Sequence, residues 1–149
     1  MTLSQKCQYA VRSVLELAKR YGSRPTTVGG IADAQASPSR FLELILRQLR
    51  QAGFVASRRG IQGGDLLAAQ PNGLSAAQII RSTDGEPIPV KCVGADESTD
   101  CPLHRHCAFM NLWLRARDAV SRVYDETSFR DLVDEERAAA GTHLADYCI

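Results

Sequence analysis

The 149-residue sequence predicts a mainly α-helical protein with one small β-hairpin: a winged helix-turn-helix followed by a long C-terminal helix suited to dimerisation. Three observations carry that prediction. Helical periodicity recurs in three closely spaced segments before residue 53. A glycine-rich, arginine-bearing stretch, "FVASRRGIQGGDLLAA", then spans 54–69. After an irregular, cysteine-rich segment, apolar residues return at helical spacing from 109 to 123.

The first helix is predicted over 3–21, where Leu3, Cys7, Val11, Val14, Leu15, Ala18 and Tyr21 recur at steps of three and four. Gly22, Ser23 and Pro25 end it. A short second helix follows at 27–36, with Val28, Ile31 and Ala32 inward. The third, "SPSRFLELILRQLRQAG", opens with Ser37 as N-cap and Pro38 at the first helical position, and closes on Gly53. Phe41, Leu42, Ile45, Leu46 and Leu49 form its expected buried face. Arg40, Glu43, Arg47 and Arg50 fall on an outward stripe.

Phe54-Val55 and Leu66-Leu67 read as two short strands joined by a turn with Gly60, Gly63 and Gly64, which tolerate positive φ. A fourth helix is expected at 75–83. Gly85, Pro87, Pro89, Gly94 and Pro102 make 84–106 irregular. A fifth helix starts near Cys107 and places Phe109, Leu112, Trp113, Ala116, Val120 and Val123 on one stripe. A last amphipathic piece covers 128–139, and the chain frays after Gly141. The expected division is a DNA-binding unit at 1–83, a ligand loop at 84–107, and a dimerisation helix with its tail at 108–149.

The net charge of +1 hides a split. Residues 1–70 hold ten Lys/Arg and four Asp/Glu, and residues 71–149 hold eight and thirteen. The halves therefore carry +6 and −5, and the basic half suits a polyanion. Basic side chains are drawn to phosphates, and a helix fits the major groove. Arg40 and Arg47 suit guanine edges or phosphates, and Glu43 suits a cytosine amino group. Ser39, at the helix N-terminus, suits a phosphate. Arg58, Arg59 and Gly60 on the hairpin suit the backbone or a minor groove. No apolar run approaches the roughly 20 residues of a membrane span, and the N-terminus lacks a signal-peptide pattern, so the expected setting is cytoplasmic. No nucleophile–base pair or phosphate loop suggests an enzyme.

In the reducing cytoplasm, clustered cysteines serve metal or redox chemistry more often than disulfides. The segment "KCVGADESTDCPLHRHC" gathers Cys92, Cys101 and Cys107 with His104 and His106. Thiolates bind both iron–sulfur clusters and zinc. Three cysteines with His104 or His106 would make a zinc site, and three unligated surface thiols are the plainest alternative. His143 and Cys148, on the tail, are incidental.

The stretches "LSQKCQYAVRSVLELA" and "FLELILRQLRQAGFVASRRGIQGGDLLA", a cysteine at 92 and a later C-P-x-x-x-x-C resemble the Rrf2 family of bacterial transcription regulators. The resemblance covers nearly the whole chain and is specific in the wing, R-G-x-x-G-G-x-L-L. It implies a homodimer that binds palindromic double-stranded DNA, with the helix after Cys107 as the dimer contact. It also implies an iron–sulfur cluster on Cys92, Cys101 and Cys107, 2Fe-2S favoured and 4Fe-4S possible. Some relatives lack the cysteines and bind none. Asp65 stands where an aromatic is common, and Ile61-Gln62 replace a common Pro-Gly. Met110 stands where one family pattern has a histidine ligand, and Gln8 where another has an acidic ligand on the partner's first helix. Cys7, His104, His106 and, with less weight, Gln8 remain as possible fourth ligands. The competing reading is a zinc- or thiol-based regulator or interaction module without a cluster.

Overall fold

The computed structural model describes residues 2–94 and 101–145. The described residues form six α-helices and one two-stranded antiparallel hairpin. Helix α1 spans Gln5–Lys19, α2 Val28–Ala34 and α3 Ser39–Gln51. Strands β1, Val55–Arg58, and β2, Gly64–Leu67, make the wing, with Val55 opposite Leu67 and Arg58 opposite Gly64. Helices α4, Ala76–Asp84, α5, Met110–Glu126, and α6, Phe129–Ala145, complete the chain. The predicted architecture is the observed one: mainly helical, a helix-turn-helix followed by a wing.

Local chemistry fixes each boundary. The Ser4 hydroxyl accepts from Cys7 N at 3.1 Å and starts α1. Ser4 is itself held by Asp84, which accepts from its hydroxyl at 2.6 Å and from its N–H at 2.7 Å. Thr27 caps α2 by accepting from Gly30 N. The start of α3 differs from expectation. Ser37 is buried, its hydroxyl donates to Gln35 O and its N–H to Ala32 O. That hydroxyl is committed inside the turn, so Pro38 takes the N-cap position and the helix begins at Ser39. Gly53, at φ +81°, ends α3 as predicted. Its N–H bonds to Arg50 O and that of Phe54 to Leu49 O, the paired bonds of a left-handed helix stop.

The main core joins Ala10, Val14 and Leu17 of α1, Ile31 of α2, Leu42, Ile45, Leu46 and Leu49 of α3, Val55 and Leu67 of the wing, and Leu74 and Ile79. Phe129 and Val133 of α6 close it from the far side. So α6, after α5, returns to α1 and finishes the core built by the helix-turn-helix and wing. The return is fixed by backbone bonds from Ala76 N to Thr127 O and from Phe129 N to Leu74 O, each 2.9 Å. Four expectations fail in detail. Phe41 is exposed and leans on the Tyr9 ring instead of entering the core. Tyr21 lies beyond α1 and is exposed, because the buried face of that helix runs through Cys7, Ala10, Val14, Leu17 and Ala18. Helix α5 begins at Met110, three residues late, because Cys107 holds extended backbone, and α6 runs to Ala145 without stopping at 139. No helix among the described residues is long and apolar enough to cross a membrane.

Candidate nucleic-acid interface and cysteine loop

The turn between α2 and α3 aims α3 outward. Ala36 takes a positive φ of 46° there. Glu16, buried in α1, anchors this turn by accepting from Gln35 Nε2 at 3.1 Å. Glu16 also accepts from Lys19 at 2.8 Å and Arg20 at 2.8 Å. Burial opposes its ionisation, yet the hydrogen bonds from Lys19, Gln35 and Arg20 hold its carboxyl below the ordinary range. With Leu42, Ile45, Leu46 and Leu49 inward, Ser39, Arg40, Glu43 and Arg47 are exposed on the opposite face. No hydrogen bond or ion pair among the described residues engages the side chains of Arg40, Glu43, Arg47, Arg58 or Arg59. Free guanidiniums on a protruding helix and hairpin are available to phosphates and base edges.

Arg50 leaves the predicted stripe. Its Nε donates to Leu46 O at 3.2 Å, and Nη1 lies 3.5 Å from Asp65 Oδ1. Asp65 lies on β2 and is only 2 % exposed. Burial pushes its carboxyl up, against the pull of the Arg50 charge. Its backbone pairs with Thr26 in both directions, at 2.9 and 2.8 Å, just before α2. At Gly64 the φ is +154°, and a Cβ there would come within 2.6 Å of Thr26 O. Only glycine permits that approach, so the wing root docks on the entry to the helix-turn-helix. Thus Asp65, at the position where an aromatic is common in the family the chain resembles, joins wing, turn and recognition helix. The sequence did carry a signal: residues two apart on a strand share a face, and Leu67 is inward.

The cysteine loop is tied to α5. Cys92 is half-buried in a tight turn, Lys91–Val93, whose Val93 is buried. Arg117 of α5 donates to Val93 O at 3.0 Å. Upstream, Arg81 of α4 binds Asp125 at 2.8 Å through Nη2 and Glu86 at 2.7 Å through Nε. Glu86 also accepts from Ser121 at 3.2 Å. Cys101 is exposed and Cys107 half-buried, with the turn His104–His106 between them. Neither Cys92, Cys101 nor Cys107 is in a disulfide. Thiols on irregular backbone are the donor type that a cluster or zinc takes. The described residues do not gather three His, Cys, Asp or Glu side chains into a metal-holding group.

The possible fourth ligands separate sharply. Cys7 is fully buried, packed with Ala76 and Ile80 and flanked by Tyr124. Burial and the Asp84 charge push its thiol up to about 11, opposed by Lys6. A neutral, enclosed thiol is a poor ligand, and that weighs against Cys7. Gln8 is exposed on α1, with its amide donating to Leu3 O. His104 is half-buried and His106 exposed within the loop. Cys148 lies outside the described residues, and so does the His143 side chain.

A helix-turn-helix with a basic wing and an outward cationic stripe defines a winged-helix DNA-binding transcription regulator. The chain belongs to the Rrf2 family: the pattern described as "Rrf2: Iron-dependent Transcriptional regulator" matches residues 3–135. It is 37 % identical over 132 residues to the HTH-type transcriptional regulator CymR of Bacillus subtilis, covering 89 % of each chain. The solved structure of B. subtilis CymR, described as the global cysteine regulator of that organism, superposes with a TM-score of 0.75 at 36 % identity, over 91 % of this chain and 98 % of that one. The HTH-type transcriptional regulator IscR of Vibrio campbellii is 33 % identical over 125 residues, 84 % of this chain and 71 % of that one. A structure of T. potens IscR gives a TM-score of 0.74 at 27 % identity, over 93 % of this chain and 90 % of that one. The family consists of regulators, not enzymes.

Proposed function

We propose that this chain acts as a cytoplasmic homodimer that reads a palindromic operator with α3 and the wing, and that chemistry at Cys92, Cys101 and Cys107 adjusts that binding. In this reading Arg40, Glu43 and Arg47 meet base edges, while Ser39, Arg58, Arg59 and Gly60 meet the backbone. The three cysteines hold an iron–sulfur cluster, 2Fe-2S before 4Fe-4S, with His104 or His106 favoured over Cys7 and Gln8 for the remaining position. When bound, the cluster supplies sensitivity to iron supply, oxidants or nitric oxide. The residues of this chain do the rest. Arg117 holds the Cys92 turn on α5, and the Arg81–Glu86–Asp125 group holds α4 on the same helix. A change at the loop is thereby carried to the helix that sets the spacing of the two reading heads.

The observation that carries the proposal is the placement of three unpaired thiols on the segment joining the reading unit to α5. Anaerobic purification with an absorption spectrum and iron and sulfide counts tests it. Stoichiometric iron and sulfide, lost in a Cys92→Ala variant, is the expected result. A second reading, a thiol- or zinc-based regulator, draws support from the similarity to CymR and from the lack of a preformed ligand group among the described residues. Stoichiometric zinc without sulfide, or thiols alone, would decide for it.

A further inference from the structure

Leu44 faces straight out of α3. At about 100° per residue, the buried positions 42, 45, 46 and 49 centre on one side of the helix. Arg40, Leu44 and Arg47 lie within about 60° of one another on the opposite side. Leu44 is 54 % exposed and joins neither core cluster. A lone exposed leucine needs no explanation. This one sits between two guanidiniums that make no ion pair among the described residues, at the centre of the face offered to DNA. Phe41, the other exposed apolar residue of α3, is set to the side and occupied by the Tyr9 ring, 6.4 Å away between centroids.

We propose that Leu44 is a specificity-determining residue that reads the 5-methyl group of a thymine in the major groove. The inference rests on the proposed docking of α3. Among the groups that base pairs display in that groove, the thymine methyl is the one apolar group that projects, cytosine showing only a C5–H beside its amino group, and the rest donate or accept hydrogen bonds. Leucine can do neither. Against a thymine it buries methyl on methyl. Against any other base it desolvates a polar edge without replacing the lost bond, which disfavours that base. Arg40 and Arg47, on either side, fix the register in which the leucine meets its base.

The experiment selects duplexes from a random pool with the full-length protein, then replaces each thymine of the selected site by uracil, which removes only the methyl. One symmetry-related pair of thymines is expected to respond, with about fourfold weaker binding per replacement, the effect of one methyl-sized group leaving an apolar contact. Leu44→Ala should bind the thymine and uracil duplexes equally well. Leu44→Gln should shift the selected base at that position toward adenine, whose edge a glutamine amide matches. Uracil replacement without effect at every position would overturn the proposal, as would a Leu44→Ala variant that keeps the uracil penalty. The uracil series uses the wild-type protein and does not depend on a variant folding. A pool that yields no sequence preference at all would overturn the operator reading itself, a distinct outcome.

Discussion

Helices α3 and α5 are both amphipathic, and the fold treats them differently. Helix α3 is 13 residues long and buries Leu42, Ile45, Leu46 and Leu49. Helix α5 is 17 residues long and buries none. Phe109, just before α5, and Leu112 and Val123 on it stay exposed, and Trp113, Ala116 and Val120 are only half covered. The difference shows where each helix finds its partner. Helix α3 completes its apolar face within the protomer and is free to present charge outward. Helix α5 leaves an apolar stripe that a small domain does not keep in water, and a second copy related by a two-fold axis would cover it.

The sharpest way to break this contrast is to charge the stripe. Trp113→Glu should dissociate the dimer and abolish operator binding while leaving the main core intact, since α5 contributes nothing to that core. Sedimentation at micromolar concentration checks it. A monomeric wild-type protein would remove the distinction between the two helices. The opposite result is expected next door. Phe129, at the start of α6, is fully buried in the same core as α3. Phe129→Ala should cost about 3–5 kcal/mol of stability, read by denaturant unfolding. A loss below about 1 kcal/mol would mean that α6 is peripheral.

Those two sites also show what the sequence made legible. Periodicity located α3 and most of its core residues because a two-sided helix writes its burial as a 3.6-residue rhythm. Phe41 escaped that rule: it lies at the edge of the apolar arc, where a ring from α1 decides its exposure. Arg50 was misplaced for a similar reason. Spacing assigned it to the outward stripe, but a carboxylate from a distant strand draws it inward, and spacing along one helix holds no information about that strand. The return of α6 into the first unit is equally long-range. The spacing of Cys92, Cys101 and Cys107 suggests thiol or metal chemistry, but spacing along the chain holds no ligand geometry, and residues 95–100 between the first two lie outside those described.

The outward stripe predicts a smaller effect, on binding and not on folding. Arg40→Ala or Arg47→Ala should weaken operator binding by about 1–3 kcal/mol if a bidentate base contact is lost, with unchanged unfolding. Arg58→Ala should act differently, lowering affinity for all duplexes and flattening the salt dependence by about one charge. Unchanged binding in both α3 variants would take that helix out of the groove. Equal behaviour of the helix and wing variants would erase the division between base reading and backbone grip.

The smallest effects set two buried carboxylates against each other. Glu16 and Asp65 are each 2 % exposed. Glu16 accepts from three side chains, and its carboxyl titrates below the ordinary range. Its contribution to stability is therefore complete above the ordinary glutamate pKa and is lost as pH falls through the lower, folded value. Asp65 has one cationic neighbour at 3.5 Å, no hydrogen bond to Oδ1, and a raised carboxyl pKa. The sign reverses there. The folded state holds the proton more tightly than the unfolded chain, so Asp65 lowers stability as pH rises from the ordinary aspartate value through the raised one. Asp65→Asn removes the desolvated charge and keeps the shape. It should leave neutral-pH stability unchanged or slightly higher and remove that pH dependence. Glu16→Gln should cost stability at neutral pH and reduce the loss on acidification. Unfolding curves of both variants between about pH 2 and 7, a window of about five units that spans the ordinary carboxylate values on both sides, read the two slopes. If both variants lose stability alike at neutral pH, Asp65 is as well satisfied as Glu16, and the Arg50 contact is stronger than its 3.5 Å separation suggests.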